Sequence, residues 1–191
     1  MWTVLAIVVH VTLAFDPSIH SRIVRSGAAD EATAIWRDYG VDLDWTGRAP
    51  ADLCLSARVE RTPHAAVGQS GAVLGSAYVP QDAARGIAPI RIGFDALDAL
   101  AEPTAAVNVM LHEYAVSTAI GRVLAHEIGH ILLGKPSYHD ERGLMRPAFA
   151  STDFSRSDRS RFRLDDRSVE RLHARLPELS SIVAAPGCPA R

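Results

Sequence analysis

Apolar residues in the first half of the chain form short runs, rich in β-branched side chains and separated by turn residues. Runs of this length and composition are typical of β-strands that are buried on at least one face. The sequence therefore predicts five strands before the middle of the chain. They span residues 4–13, 41–45, 53–59, 76–79 and 89–94.

Two longer stretches carry the signals of helices. Residues 28–39 carry Asp30 and Glu31 in the first turn and are followed by Gly40, a residue that often ends a helix. A second stretch follows Pro103 and ends near Leu133, where Gly134 stops it. The sequence does not fix where the second helix begins.

The last quarter of the chain has a different character. Residues 151–163 are rich in Ser, Arg and Asp, and we expect a solvated loop there. Either Asp165 or Asp166 can cap a final helix that runs to about Leu176.

This order of elements predicts an α/β sandwich, with a twisted mixed sheet of five strands and two packing helices. We expect one catalytic domain over residues 1–191. Residues 1–134 would form an N-terminal subdomain, and residues 135–191 a smaller C-terminal subdomain with the final helix.

Composition narrows the possible functions. The chain has 191 residues, 48% of them hydrophobic, and a net charge of −2, which fits one soluble domain. The chain has no overall positive charge, so we do not expect nucleic acid as a partner. We expect a monomer, although the sequence does not determine the oligomeric state. Cys54 and Cys188 match no metal or redox spacing, so a disulfide and two separate thiols both remain open.

The apolar N-terminus, residues 1–15, resembles an export signal only superficially. It has no basic residue at its start, contains His10 and has no small-residue cleavage site before Asp16. It is also too short to cross a bilayer. We therefore expect a buried strand and no membrane partner. The sequence leaves the location open and slightly favours a cytoplasmic or signal-less form.

The residues that carry chemistry are His126-Glu127-Ile128-Gly129-His130, an H-E-x-x-H motif. On a helix, His126 and His130 lie one turn apart on the same face, where two imidazoles can bind one zinc ion. Glu127 lies roughly 100° around the helix, beside the metal, where it can act as a general base.

The segment HEIGHILLGKPSYHDERGLMRP resembles the metzincin metalloproteases, and among them most closely the matrixins and related small bacterial enzymes. The resemblance implies His126, His130 and His139 as the ligands of one catalytic Zn²⁺ and Glu127 as the base. It also implies Met145 as the methionine of the turn beneath the metal. The substrate would be a peptide or protein, paired with an edge strand near Ala77 and Tyr78.

His139 departs from the family's spacing. The pattern H-E-x-x-H-x-x-G-x-x-H places the third ligand at position 136, which is Pro136, so His139 lies three residues late. Asp140 and Glu141 are neighbouring substitutes for His139. A gluzincin-like peptidase with Glu170 as third ligand is an alternative. Another is a non-catalytic module whose zinc is closed off by Asp140.

Overall fold

The computed structural model of the chain describes six stretches of residues. These are residues 6–61, 74–78, 88–105, 107–134, 139–154 and 158–181.

The predicted strands form one mixed five-stranded sheet, as the α/β prediction requires. The strand order is β2-β1-β3-β5-β4; the first four of these strands run parallel, and β4 is antiparallel to β5 at one edge. The strands are β1 (Ile7–Phe15), β2 (Val41–Asp44), β3 (Leu53–Glu60), β4 (Gly75–Ala77) and β5 (Ala88–Gly93). Residues 4, 5 and 79, which the sequence assigned to strands, lie outside the described residues.

The helix expected after Pro103 is present and ends at Leu133, as predicted. A further helix, within whose range Pro103 lies, precedes it and was not predicted. The helices are α1 (Arg22–Arg37), α2 (Phe94–Ala105), α3 (Val109–Leu133), α4 (Ser151–Phe154) and α5 (Asp166–Ser181). None of the helices in the described stretches combines the length and apolarity that a bilayer crossing requires.

Two helix starts have identifiable caps. Helix α1 begins six residues before the predicted start because the Ser21 hydroxyl accepts a hydrogen bond from the Val24 amide at 3.2 Å. Helix α5 begins after Asp165, whose carboxylate accepts the Ser168 amide at 2.8 Å. Of the two caps that the sequence left open for α5, the structure uses Asp165.

Most side chains at residues 151–154 and 158–163 are exposed, as predicted, but these residues do not form a simple loop. They include α4, a short 3-10 turn at Ser160–Phe162 and the buried side chains of Phe154 and Phe162. Arg159 and Arg161 form ion pairs with acidic residues, so part of this segment is attached to the protein body.

The core lies between one face of the sheet and helices α1, α2 and α3. Side chains that alternate along β1, β3 and β5 are buried against the helices, which explains the β-branched runs in the sequence. The Trp36 indole of α1 donates a hydrogen bond to the Ala125 carbonyl of α3 at 3.1 Å. This contact fixes α1 against α3 one residue before His126.

Cys54, on β3, is disulfide-bonded. Cys188 lies outside the described residues.

Candidate metal centre

The last turns of α3 carry the residues of the H-E-x-x-H motif inside the protein. His126, Glu127 and His130 are 6%, 4% and 5% exposed. The two imidazole rings lie 4.6 Å apart between centroids and are nearly perpendicular, at 87°. Most of α3 around them is apolar and buried, so the helix holds both rings in place.

His139 joins these two rings from outside the helix. Its ring centroid lies 5.5 Å from that of His126 and 5.0 Å from that of His130. One nitrogen of each ring can be chosen so that all three lie within 4.8 Å of one another. In the described part of the chain, this is the one group of three or more metal-binding side chains that converge so closely.

The donor set fits zinc. The His126 Nδ1 lies 2.7 Å from the Leu144 carbonyl oxygen, so Nδ1–H donates to it and Nε2 is left as a ligand atom. Burial lowers the pKa of His126 to about 4, although the Leu144 hydrogen bond acts in the opposite direction. A neutral imidazole is the form that binds a metal.

Glu127 lies beside the histidines and close to the edge of the sheet. Burial raises the pKa of its carboxyl to about 7. A Cβ atom added to Gly75 of β4 would come within 2.7 Å of Glu127 Oε1, so the edge strand passes directly beside the carboxylate. A side chain at position 75 would therefore require Glu127 and Val123 to move.

The predicted substrate-binding residues lie on and just after β4. Ala77 is opposite Ile90 of β5, and the Tyr78 amide donates to the Pro89 carbonyl at 3.0 Å. The Tyr78 side chain is 66% exposed. Because β4 is the last strand in the sheet order, its outer edge faces no further strand among the described residues.

Met145 lies directly beneath α3, between the levels of the two helical histidines. A Cβ atom added to Gly129 would overlap the Met145 sulfur, so the absence of a side chain at 129 lets the methionine approach the helix. Leu144 and Met145 are both fully buried. The Leu144 amide donates to the Arg163 carbonyl at 2.8 Å, which anchors the turn to the segment before α5.

The alternative ligands are placed differently. Asp140 is half-buried, and its Oδ2 accepts a hydrogen bond from the Ser168 hydroxyl. Glu141 is exposed, and so is Glu170 on α5. None of these three carboxylates belongs to the converging group of described residues, which contains only histidines.

Sequence reasoning missed Phe149, which packs against the site. Its ring meets that of His126 edge-on at 5.4 Å and stacks on Phe162 at 5.5 Å. The Arg146 guanidinium lies 4.5 Å from the Phe149 centroid and forms an ion pair with Asp153 at 2.8 Å. The only local signal was the aromatic character of Phe149 just after the Met145 turn.

A buried polar network supports this side of the site and was also missed. Arg122, one turn before His126 on α3, is fully buried. It donates to Glu31 of α1 at 2.8 Å, to the Asp158 carbonyl at 3.0 Å and to the Asp153 carbonyl. Arg122 therefore joins α1, α3 and the segment after α4.

Comparison with known proteins shows the fold. No protein-family model and no curated protein matches the sequence. The structure is similar to the crystal structure of archaemetzincin from Methanopyrus kandleri, with a TM-score of 0.50 and 16% sequence identity. The match covers 91% of this chain and 96% of that one, so the likeness extends over nearly the whole fold.

Proposed function

We propose that the protein is a zinc-dependent peptidase of the metzincin type, which hydrolyses internal bonds of peptides or proteins. The observation that carries the proposal is the convergence of the His126, His130 and His139 rings beside the buried carboxylate of Glu127. The archaemetzincin-like fold supports it, because the motif lies on a helix that packs beneath a mixed sheet with an antiparallel edge strand.

The chemistry follows from these side chains. His126, His130 and His139 would hold one Zn²⁺. When bound, the ion supplies Lewis acidity that polarises the scissile carbonyl and makes water more acidic. Glu127 accepts the proton of the attacking water on its carboxylate and returns it to the nitrogen of the leaving amine. A pKa near 7 suits a group that must both accept and release a proton at neutral pH.

The substrate would lie along the outer edge of β4. Its backbone can pair with β4 at Ala77 as an added strand, since backbone groups at a sheet edge recognise extended peptides. The Tyr78 amide is already bonded to the Pro89 carbonyl of β5, so Tyr78 would contribute its exposed side chain. Gly75 lies against Glu127, so a peptide on this edge passes close to the base. This arrangement needs neither nucleic acid nor a membrane, and one copy of the chain contains every group named.

Within the metzincins, we propose that the protein is most similar to the matrixins. This proposal rests on Met145-Arg146-Pro147, which resembles the methionine turn of that group, and on the position of Met145 beneath Gly129. No tyrosine lies two residues after Met145, so we assign no tyrosine that alternates with water at the metal. The methionine would support the floor of the site without binding zinc.

The proposal is tested with Glu127→Gln, which keeps the shape of the side chain and removes the base. We expect hydrolysis of a mixed peptide library to fall by about 10²–10⁴-fold, as is typical for the loss of a general base. Zinc content, measured by atomic emission, should stay at that of the wild type. Mass spectrometry of the library would detect cleavage.

Glu113→Gln is the matched control. Glu113 follows His112 on the same helix, but position 116 is Val116, so that pair lacks the second histidine. The His112 ring lies 2.9 Å from Asp98 and 3.2 Å from the Ala101 carbonyl, which is a structural role. Full activity of Glu127→Gln would refute the mechanism.

A further inference from the structure

The chain between His130 and His139 is three residues longer than the metzincin pattern, so something other than a short loop must fix His139. Residues 135–138 lie outside the described residues. Both ends of the connection are described, and both contact helix α5. The contacts come from Ser168, Arg171 and Arg175, whose spacing of three and four places them along one side of that helix.

The start of the connection is held by the two arginines. Arg171 Nε donates to the Leu133 carbonyl at 2.8 Å. The Arg175 guanidinium lies against Gly134, which ends α3 with a positive φ of 77° and has no room for a side chain. The last carbonyls of a helix carry partial negative charge, so two guanidinium groups at this end stabilise it.

The far end of the connection is held by the serine. Ser168 is fully buried, and its hydroxyl donates to Oδ2 of Asp140, the residue after His139. The Asp140 amide in turn donates to the Met145 carbonyl at 2.9 Å. The residue next to His139 is therefore tied both to α5 and to the methionine turn.

Helix α5 packs against the hydrophobic core. Leu172, Leu176 and Leu179 on it are buried in the core, and Asp165 caps its first turn. The contacts to Leu133, Gly134 and Asp140 therefore all come from one packed helix.

We propose that Ser168, Arg171 and Arg175 form a brace that positions His139 as the third zinc ligand and compensates for the longer connection. They are positioning residues, because none of them belongs to the converging histidine group. The inference rests on the proposed function, since it takes His139 as a ligand.

The test uses Ser168→Ala and Arg171→Met in the full chain, each made in the wild-type and the His139→Ala backgrounds. Zinc affinity is measured by competition with a chromophoric chelator. Loss of a partner that orients a ligand typically weakens metal binding by 10–100-fold. We expect about 10-fold weaker binding for each variant in the wild-type background and no further weakening in the His139→Ala background. The absorption spectrum of bound Co²⁺ should change in the same variants.

Arg167→Met is the matched control, because Arg167 is an exposed arginine in the first turn of the same helix. Its zinc affinity should equal that of the wild type. Circular dichroism checks that each variant is folded. If Arg171→Met does not fold, Ser168→Ala, which removes a single oxygen atom, still carries the test.

The outcomes separate the two proposals. If His139→Ala alone binds zinc as tightly as the wild type, the ligand assignment is wrong and the brace has nothing to position. If His139→Ala weakens binding but the brace variants do not, the brace is wrong and the ligand set stands. Equal weakening by the brace variants in both backgrounds would also reject the brace, because α5 would then act on the whole site.

Discussion

The candidate metal centre is assembled from two regions that are built in different ways. The α3 side supplies His126, Glu127 and His130 from a single helix packed in the apolar core. The C-terminal side supplies His139 and Met145 from a chain without regular structure, held by hydrogen bonds to carbonyls and to a carboxylate. One half of the site is fixed by helix geometry and the other by long-range polar contacts.

This difference indicates which substitutions should displace each part of the site. A helix fixes its i and i+4 side chains even when distant residues change, so the positions of His126 and His130 depend mainly on α3 itself. The position of His139 depends on partners farther away in sequence. Ser168, for example, donates to Asp140, the residue after His139, across 28 positions.

The largest effect should come from Arg122→Met, which removes the centre of the polar network. Glu31 and the carbonyls of Asp153 and Asp158 would lose a buried donor. Breaking a buried ion pair by removing one partner typically costs 3–5 kcal/mol, so we expect the free energy of unfolding to fall by about 3 kcal/mol. Denaturant titration of the zinc-free protein measures it.

Arg91→Met is the control for that substitution, since Arg91 is an exposed arginine on β5. Surface substitutions of this kind usually change stability by less than about 0.5 kcal/mol. A loss this small for Arg122→Met as well would mean that the polar network does not hold the C-terminal region in place.

A smaller effect is expected from Gly129→Ala, at the point where the two regions meet. The added methyl group would overlap the Met145 sulfur. Overpacking typically costs about 1–3 kcal/mol, while alanine is favoured over glycine in a helix by about 1 kcal/mol. We therefore expect a net loss of about 1 kcal/mol in the free energy of unfolding.

The methionine itself provides the control for Gly129→Ala. In a Met145→Ala background the space beneath the helix is vacated, so the same substitution should become neutral or stabilising. An equal loss in both backgrounds would contradict the contact between Gly129 and Met145.

Much of the fold was predictable because the signals are local. Short apolar runs rich in β-branched residues indicated five strands, and the described residues contain five strands in one mixed sheet. The prediction of a solvated segment at residues 151–163 is confirmed for most of the described side chains but missed the contacts that attach it to the protein body. Arg159 and Arg161 stay partly exposed, and their partners Glu31 and Asp153 are brought to them by the fold.

The residues of the site also differ in how far the sequence predicts them. His126, Glu127 and His130 are visible in the sequence because one helical turn relates them. His139 and Met145 could be suggested only through a family resemblance, since nothing local places them beside α3. Gly75 and the brace residues of α5 depend on tertiary contacts that no local pattern reveals, and Phe149 had only its aromatic character after the Met145 turn as a signal.

The convergence of His126, His130 and His139 predicts that three histidines hold one zinc ion. X-ray absorption spectroscopy of the zinc-loaded protein tests it directly, because imidazole nitrogens give a distinct scattering pattern at about 2.0–2.1 Å. We expect three imidazoles in the wild type and two in His139→Ala. The three-histidine site would be contradicted if the wild type showed two imidazoles and a carboxylate, if His139→Ala left this pattern unchanged, and if Glu170→Ala removed the carboxylate.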